Sequence, residues 1–232
     1  MPASLRATLA RWSRGEEGEP DRPKFLYINP TGANPTGSLL PEGRRREIYE
    51  LCCQYNLLLL EDDPYYFLQF GAKDQRPPSF LALDTEGRVL RWLPSPANTA
   101  RFDSFSKVLS SGIRLGFVTG PKELVQRLVL HMQVSVLHAS SLSQVTPGPR
   151  TPQVVTASLL EQWGRPGFYA HVEEVEAFYK RRRDLMVEAA EEHLGGLVEF
   201  SVPLGGMFLW IKVVPVPPPH CCRCPASPPR GT

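Results

Sequence analysis

Leu57-Leu58-Leu59-Leu60 runs without a polar interruption and ends abruptly in Glu61-Asp62-Asp63. A strand that is apolar at every position has both faces buried, which belongs to a parallel sheet covered by helices. The flanking sequence agrees. Phe25 to Ile28 is a short apolar and aromatic segment ending in a Pro/Gly/Asn-rich loop, Asn29 to Gly37, and Pro41 to Tyr55 carries apolar and charged residues at helical period. Strand, helix, strand predicts a parallel pair and an α/β chain. In open α/β sheets ligands bind beyond the carboxyl ends of the strands, and Asn34 and the Asp62-Asp63 pair fall there.

The rest of the chain divides by the same signals. Leu5, Leu9 and Trp12 recur at helical spacing beside Arg6, Arg11 and Arg14; an amphipathic helix accounts for them better than a mitochondrial presequence does. Glu16 to Lys24 reads as a charged linker. Val89 to Trp92 predicts a strand, Arg101 to Ser111 a polar loop, Leu115 to Val118 a strand and Lys122 to about Leu137 a helix. Phe168 to Leu194 predicts a long amphipathic helix and Met207 to Val213 a further strand. Leu93 to Thr99 and Thr146 to Gln153 are Pro-rich and read as insertions. From Val214 onward, prolines such as Pro215, Pro217, Pro218 and Pro219 deny backbone donors to helix and sheet alike, so residues 214–232 are expected to be a disordered Pro/Cys-rich tail.

Composition narrows the function classes. An apolar fraction of 42% can supply a core, while a formal net charge of +2 leaves no electrostatic footprint for nucleic acid or an acidic membrane. The longest apolar run is far short of the roughly 20 residues that span a bilayer. Five cysteines lack the spacing of a disulfide framework. Cys52 and Cys53 fall inside the first predicted crossover helix and read as packing residues. Cys221, Cys222 and Cys224, with His220, are too crowded to share a tetrahedral metal, so no metal is expected.

Chemistry concentrates in Ser104-Phe-Ser-Lys107 and Ser110-Ser-Gly-Ile-Arg114-Leu-Gly116. A lysine between hydroxyls, with a second cation in a glycine-bearing loop, suits a phosphorylated aldehyde. The amine forms a Schiff base, and Ser and Arg side chains bind phosphate oxygens. Spacing alone leaves a solvated basic loop as an equal alternative. The carboxylate at the end of Leu57–Leu60 is likewise open between Asp62, with Tyr65 three residues on, and Asp63, with Tyr66.

Together with Asn34-Pro-Thr-Gly37 and Asp62-Asp-Pro-Tyr65 upstream, this segment resembles the signature of the fold-type I aminotransferases of class I/II. Three motifs in this order are specific. Similarity runs from about Ser4 to Val213, interrupted by the two Pro-rich stretches. The resemblance implies pyridoxal 5'-phosphate as cofactor and a mostly parallel sheet with helices on both faces. It divides the chain into a partial cofactor-binding large domain over residues 1–170, a linking helix and the start of an α+β small domain over 171–213, and the tail.

Carried over residue by residue, Lys107 would bind the cofactor covalently and move the substrate proton. Asp62, preferred over Asp63 by the resemblance, would pair with the pyridine nitrogen. Tyr65 and Asn34 would bond the cofactor 3-oxygen, with Asn34 also near the substrate carboxylate. Ser104, Ser106 and Arg114 would hold the phosphate. The branch of the family it resembles implies transfer of the amino group of L-kynurenine or L-2-aminoadipate to a 2-oxo acid such as 2-oxoglutarate, by a homodimeric enzyme that is mitochondrial or cytosolic. No nucleic acid or membrane partner is expected, and no targeting segment is evident. The family's remaining cofactor contacts and its carboxylate-binding arginine belong to segments without a counterpart here, so an inactive product that associates with longer subunits is the alternative expectation.

Overall fold

A computed structural model describes residues 2–12, 21–90, 99–136 and 152–214. Helix α1 (Pro2–Leu9) precedes strand β1 (Phe25–Ile28). Helix α2 (Glu42–Gln54) leads into β2 (Leu58–Asp62), and α3 (Phe80–Leu90) into β3 (Thr99–Ser104). These strands lie side by side in the order β1, β2, β3, all parallel, so α2 and α3 are crossover helices. Strand β4 (Gly116–Thr119) closes the sheet antiparallel to β3. Helices α4 (Lys122–Ser135) and α5 (Pro152–Leu194) follow, then a two-stranded antiparallel sheet of β5 (Val198–Phe200) and β6 (Ile211–Val213).

The core lies between the sheet and the helices that cross over it. Helix α2 buries Arg45, Ile48, Tyr49 and Cys52, spaced at the three- and four-residue intervals that put side chains on one face. Ile48, Tyr49 and Cys52, with Leu51 of the same helix, pack with Ile28 and Leu59 of the sheet, Phe80 and Leu83 of α3 and Leu9 of α1. The α1 expectation from Leu5 and Leu9 is thereby met as an ordinary packed helix. Strand β2 alternates: Leu59 and Glu61 are buried, whereas Leu58, Leu60 and Asp62 are half-buried. Its second face is therefore less covered than an all-apolar run suggests.

Helix α5 begins before the expected Phe168 and bends at Gly164, whose φ of 56° and ψ of −174° are not helical, two residues ahead of Pro166. The boundary expected at residue 170 falls inside this helix. The loop between β5 and β6 returns to the first sheet's side of the molecule, where Gly206 N donates to the Leu68 carbonyl at 2.8 Å and Phe70 N to the Leu204 carbonyl at 2.9 Å. Regular strand there is shorter than expected from Met207 to Val213, covering Ile211–Val213.

One segment differs from its expectation outright. Val89 and Leu90 end helix α3, where a strand is predicted, and residues 101–104 of the stretch read as a polar loop belong to β3, inside the sheet. Polarity misleads here because the charge of Arg101 is matched by carboxylates buried beside it. Of the insertions, residues 93–98 and 146–151 lie outside the described residues, while Thr99 opens β3 and Pro152 opens α5. Residues 215–232, with the tail cysteines, also lie outside them. Among the described residues no helix is long and apolar enough to cross a membrane, and no group of side chains is arranged to hold a metal ion.

Candidate active site

The alternation of β2 sorts its carboxylates. Glu61 and Asp63 are buried, at 0% and 1% exposure, while Asp62 stands on the half-buried face at the strand's carboxyl end. Tyr27 on β1 pairs with Leu60 in register and so shares that face; its hydroxyl donates to Asp62 Oδ2. The bond, followed by partial burial and the field of the Asp62 carboxylate, pushes the Tyr27 phenol up to about 12.

Tyr65 follows in the turn after β2 and is buried at 5% exposure, its ring edge-on to Phe208 with centroids 5.7 Å apart. Burial, and then the neighbouring Asp62 charge, raises its phenol above the ordinary range, so it is a hydrogen-bond donor at neutral pH. Lys107 closes the short 3₁₀ turn Phe105–Lys107 directly after β3, and its Nζ lies 5.8 Å from the centre of the Tyr65 ring. Ser104 caps this turn, its Oγ accepting from Ser106 N at 3.1 Å. A cavity of about 690 Å³ beside it is lined by Ser106, Lys107, Ser110, His171 and Tyr179, among others. A more apolar cavity of about 480 Å³ lies toward Asp63 and Phe168, and Lys107 does not line it.

Asp62, Tyr65 and Lys107 are thus gathered at the carboxyl ends of β2 and β3, with Ser104 and Ser106 on the lysine's own turn. Asn34 and Arg114 are not drawn into this contact. Asn34 is exposed in the loop after β1. Arg114, also exposed, sits at φ 51° behind a second capped turn and donates to the Ser111 carbonyl at 3.2 Å.

Beneath the site runs a buried charge network absent from the sequence reading. Arg101 binds Asp103 through Nε at 3.0 and 2.9 Å and through Nη2 at 2.8 Å, and it reaches Glu61 at 3.3 Å and Asp63 at 3.4 Å. Its guanidinium lies 4.5 Å from the centre of the Tyr66 ring. Glu61 accepts from the Phe80 and Leu81 amides, capping α3, and Thr31 donates to Asp63 while accepting from Arg45. Burial alone would depress Arg101, yet its bond to Asp103 and the charges of Glu61 and Asp63 outweigh that and hold it firmly protonated. Asp63 is the surplus carboxylate. Desolvation dominates over Arg101 and pushes it up to about 7, and its Oδ1 has no partner. For one member the sequence does hold a signal: Arg45 shares the buried period of α2 with Ile48, Tyr49 and Cys52. Arg101 and Tyr27 needed the strand register.

Residues 7–216 match the family model described as aminotransferase class I and II. The chain is 46% identical over 217 residues to the mitochondrial kynurenine/alpha-aminoadipate aminotransferase of Bos taurus, covering 92% of this chain and 46% of that protein. It is 47% identical to the protein of the same name from Rattus norvegicus, with the same coverage. Among solved structures it is similar to LysN, the alpha-aminoadipate aminotransferase of Thermus thermophilus complexed with N-(5'-phosphopyridoxyl)-L-leucine. The TM-score is 0.74 at 31% identity over 91% of this chain and 46% of that one. The Pyrococcus horikoshii kynurenine aminotransferase gives 0.67 at 28% identity, over 90% and 45% of the two chains. The chain spans about half the length of the curated relatives it matches.

Proposed function

The chain belongs to the class I and II aminotransferase family, and on that footing we propose that it carries the lysine-bearing part of a pyridoxal 5'-phosphate site that transfers the amino group of L-kynurenine or L-2-aminoadipate to a 2-oxo acid such as 2-oxoglutarate. The observation that carries this reading is the placement of the Lys107 amine against the buried Tyr65 ring, with the Asp62 carboxylate close by, at the strand ends. The names of the bovine and rat relatives support the choice of donors and a mitochondrial site of action.

Asp62, Tyr65 and Lys107, gathered at the strand ends with Ser104 and Ser106, fit such a cofactor, which would supply an aldehyde for amines and a pyridinium ring to draw electrons from the substrate's Cα–H bond. Lys107 Nζ would hold the aldehyde carbon and pass the proton at the substrate Cα. Asp62 would accept the pyridine N–H and so keep that nitrogen protonated. Tyr65, whose proton is secured by burial and by Asp62, would donate to the ring's 3-oxygen, and Asn34 would donate to the same atom from the loop after β1. The Ser104 and Ser106 hydroxyls and the Arg114 guanidinium would bind phosphate oxygens. Asn34 would also come near the substrate carboxylate.

The test is borohydride reduction of the cofactor-incubated 232-residue chain, with visible absorption before and after and mass mapping of the labelled peptide. An adduct on Lys107 that is lost in Lys107→Ala supports the reading. Labelling spread over surface lysines and unchanged in Lys107→Ala would leave family membership without a cofactor site, and association with a longer relative's subunit would then be the property to measure.

A further inference from the structure

Tyr27 presents a contact that folding does not need. Its side chain is 57% exposed, so water would satisfy its hydroxyl, and Phe25 on the same face of β1 is exposed as well. The hydroxyl is nevertheless committed to Asp62 Oδ2, across a parallel pair of strands whose register sets Tyr27 opposite Leu60 and two residues short of Asp62. A carboxylate on a half-covered strand end turns freely about its last torsion, and a donor fixed to one oxygen removes that freedom. Hydrogen bonds to charged acceptors are the stronger kind, and this one is supplied from a strand held in the sheet.

We propose that Tyr27 is a positioning residue for Asp62: its hydroxyl holds Oδ2 and so dedicates Oδ1 to the ring nitrogen of the cofactor. The inference rests on the cofactor reading above and adds to it a residue on β1 outside the set assigned to cofactor and substrate. Tyr27 acts through Asp62 alone. Removing its hydroxyl therefore matters when Asp62 is present and not when it is replaced.

Pyridoxamine 5'-phosphate tests this, because it carries an amine where the cofactor has its aldehyde and so reports the pocket without bonding to Lys107. Its dissociation constant is measured by equilibrium dialysis on the full chain, on Tyr27→Phe, on Asp62→Asn and on the double variant. Loss of a hydrogen bond to a charged group should weaken binding about fivefold in Tyr27→Phe, and the same change should have no effect in the Asp62→Asn background. In the protein without ligand, the Tyr27 phenol titration near 12 should fall toward the ordinary value near 10 in Asp62→Asn. An equal loss in both backgrounds, no loss, or tighter binding in Tyr27→Phe overturns the proposal while the cofactor site stands. If the full chain binds no pyridoxamine 5'-phosphate at all, the cofactor reading fails and this proposal goes with it.

Discussion

A Cβ built on Gly32 would lie 2.4 Å from the Cα of Gly206, and one built on Gly206 would lie 2.6 Å from the Gly32 carbonyl oxygen. Both glycines have positive φ, 55° and 77°. The loop after β1, which carries Asn34, and the loop before β6 therefore meet backbone to backbone, and side chains at either position would drive them apart.

Gly206→Ala should accordingly destabilise the chain by more than about 2 kcal/mol, combining backbone strain with displacement of the Gly32 loop. Gly43→Ala is the matched control. Gly43 lies in α2 with nothing within 4 Å of a built Cβ, and the change there should stabilise by up to about 1 kcal/mol. Urea unfolding of the two variants separates these signs.

Arg101→Met keeps most of the side chain's volume and deletes the cation shared by Glu61, Asp63 and Asp103. Leaving buried carboxylates uncompensated should cost about 3–5 kcal/mol at neutral pH. The deficit should shrink as the pH is lowered, because the remaining carboxylates then take up protons. A deficit that stays constant with pH would mean that lost packing on Tyr66, not charge, is what the guanidinium contributes.

Asp63 should leave a signature in the pH dependence of stability. Its folded-state value of about 7 lies above the 3.8 of the free side chain, so its contribution is fully present below about pH 4 and is lost as the pH rises toward 7. The loss is on the order of a few kcal/mol. Asp63→Asn, which can keep the bond from Thr31, should flatten the stability profile between about pH 4 and about pH 7 relative to the parent chain. Unfolding midpoints at several pH values across that range measure the difference.

Cys52 is fully buried in α2, and burial, with a smaller part from Cys53, pushes its thiol up to about 12. Only about one part in 10⁵ is thiolate at neutral pH, and that part is shielded from reagent. Iodoacetamide should leave Cys52 unlabelled in the native chain and label it fully in urea, as peptide mapping would show. Native-state labelling would place the α2 core in an opening equilibrium far more frequent than its packing implies.

The contiguous parts of this protein were legible in order. The strand at Leu57–Leu60 announces itself as an unbroken apolar run, and the helix from Pro41 to Tyr55 through its period. The polar ends of the strands are legible as well, because period and local turn chemistry act over a few residues. The motif lysine is local too: Ser104 and Ser106 lie within the turn that holds Lys107. Strand β3 was missed because a rule that reads charge as exposure has no access to the partners that Arg101 finds across β2.

What the sequence by itself determined is the set of groups available for chemistry and the α/β order of the elements that carry them. Tertiary structure alone decided which groups share a face. A one-residue change of register between β1 and β2 would aim Tyr27 away from Asp62, and only the pairing of Tyr27 with Leu60 prevents it. The same pleat sends Asp63 inward to Arg101 and leaves Asp62 open, a division between adjacent identical residues that no local property of the chain contains.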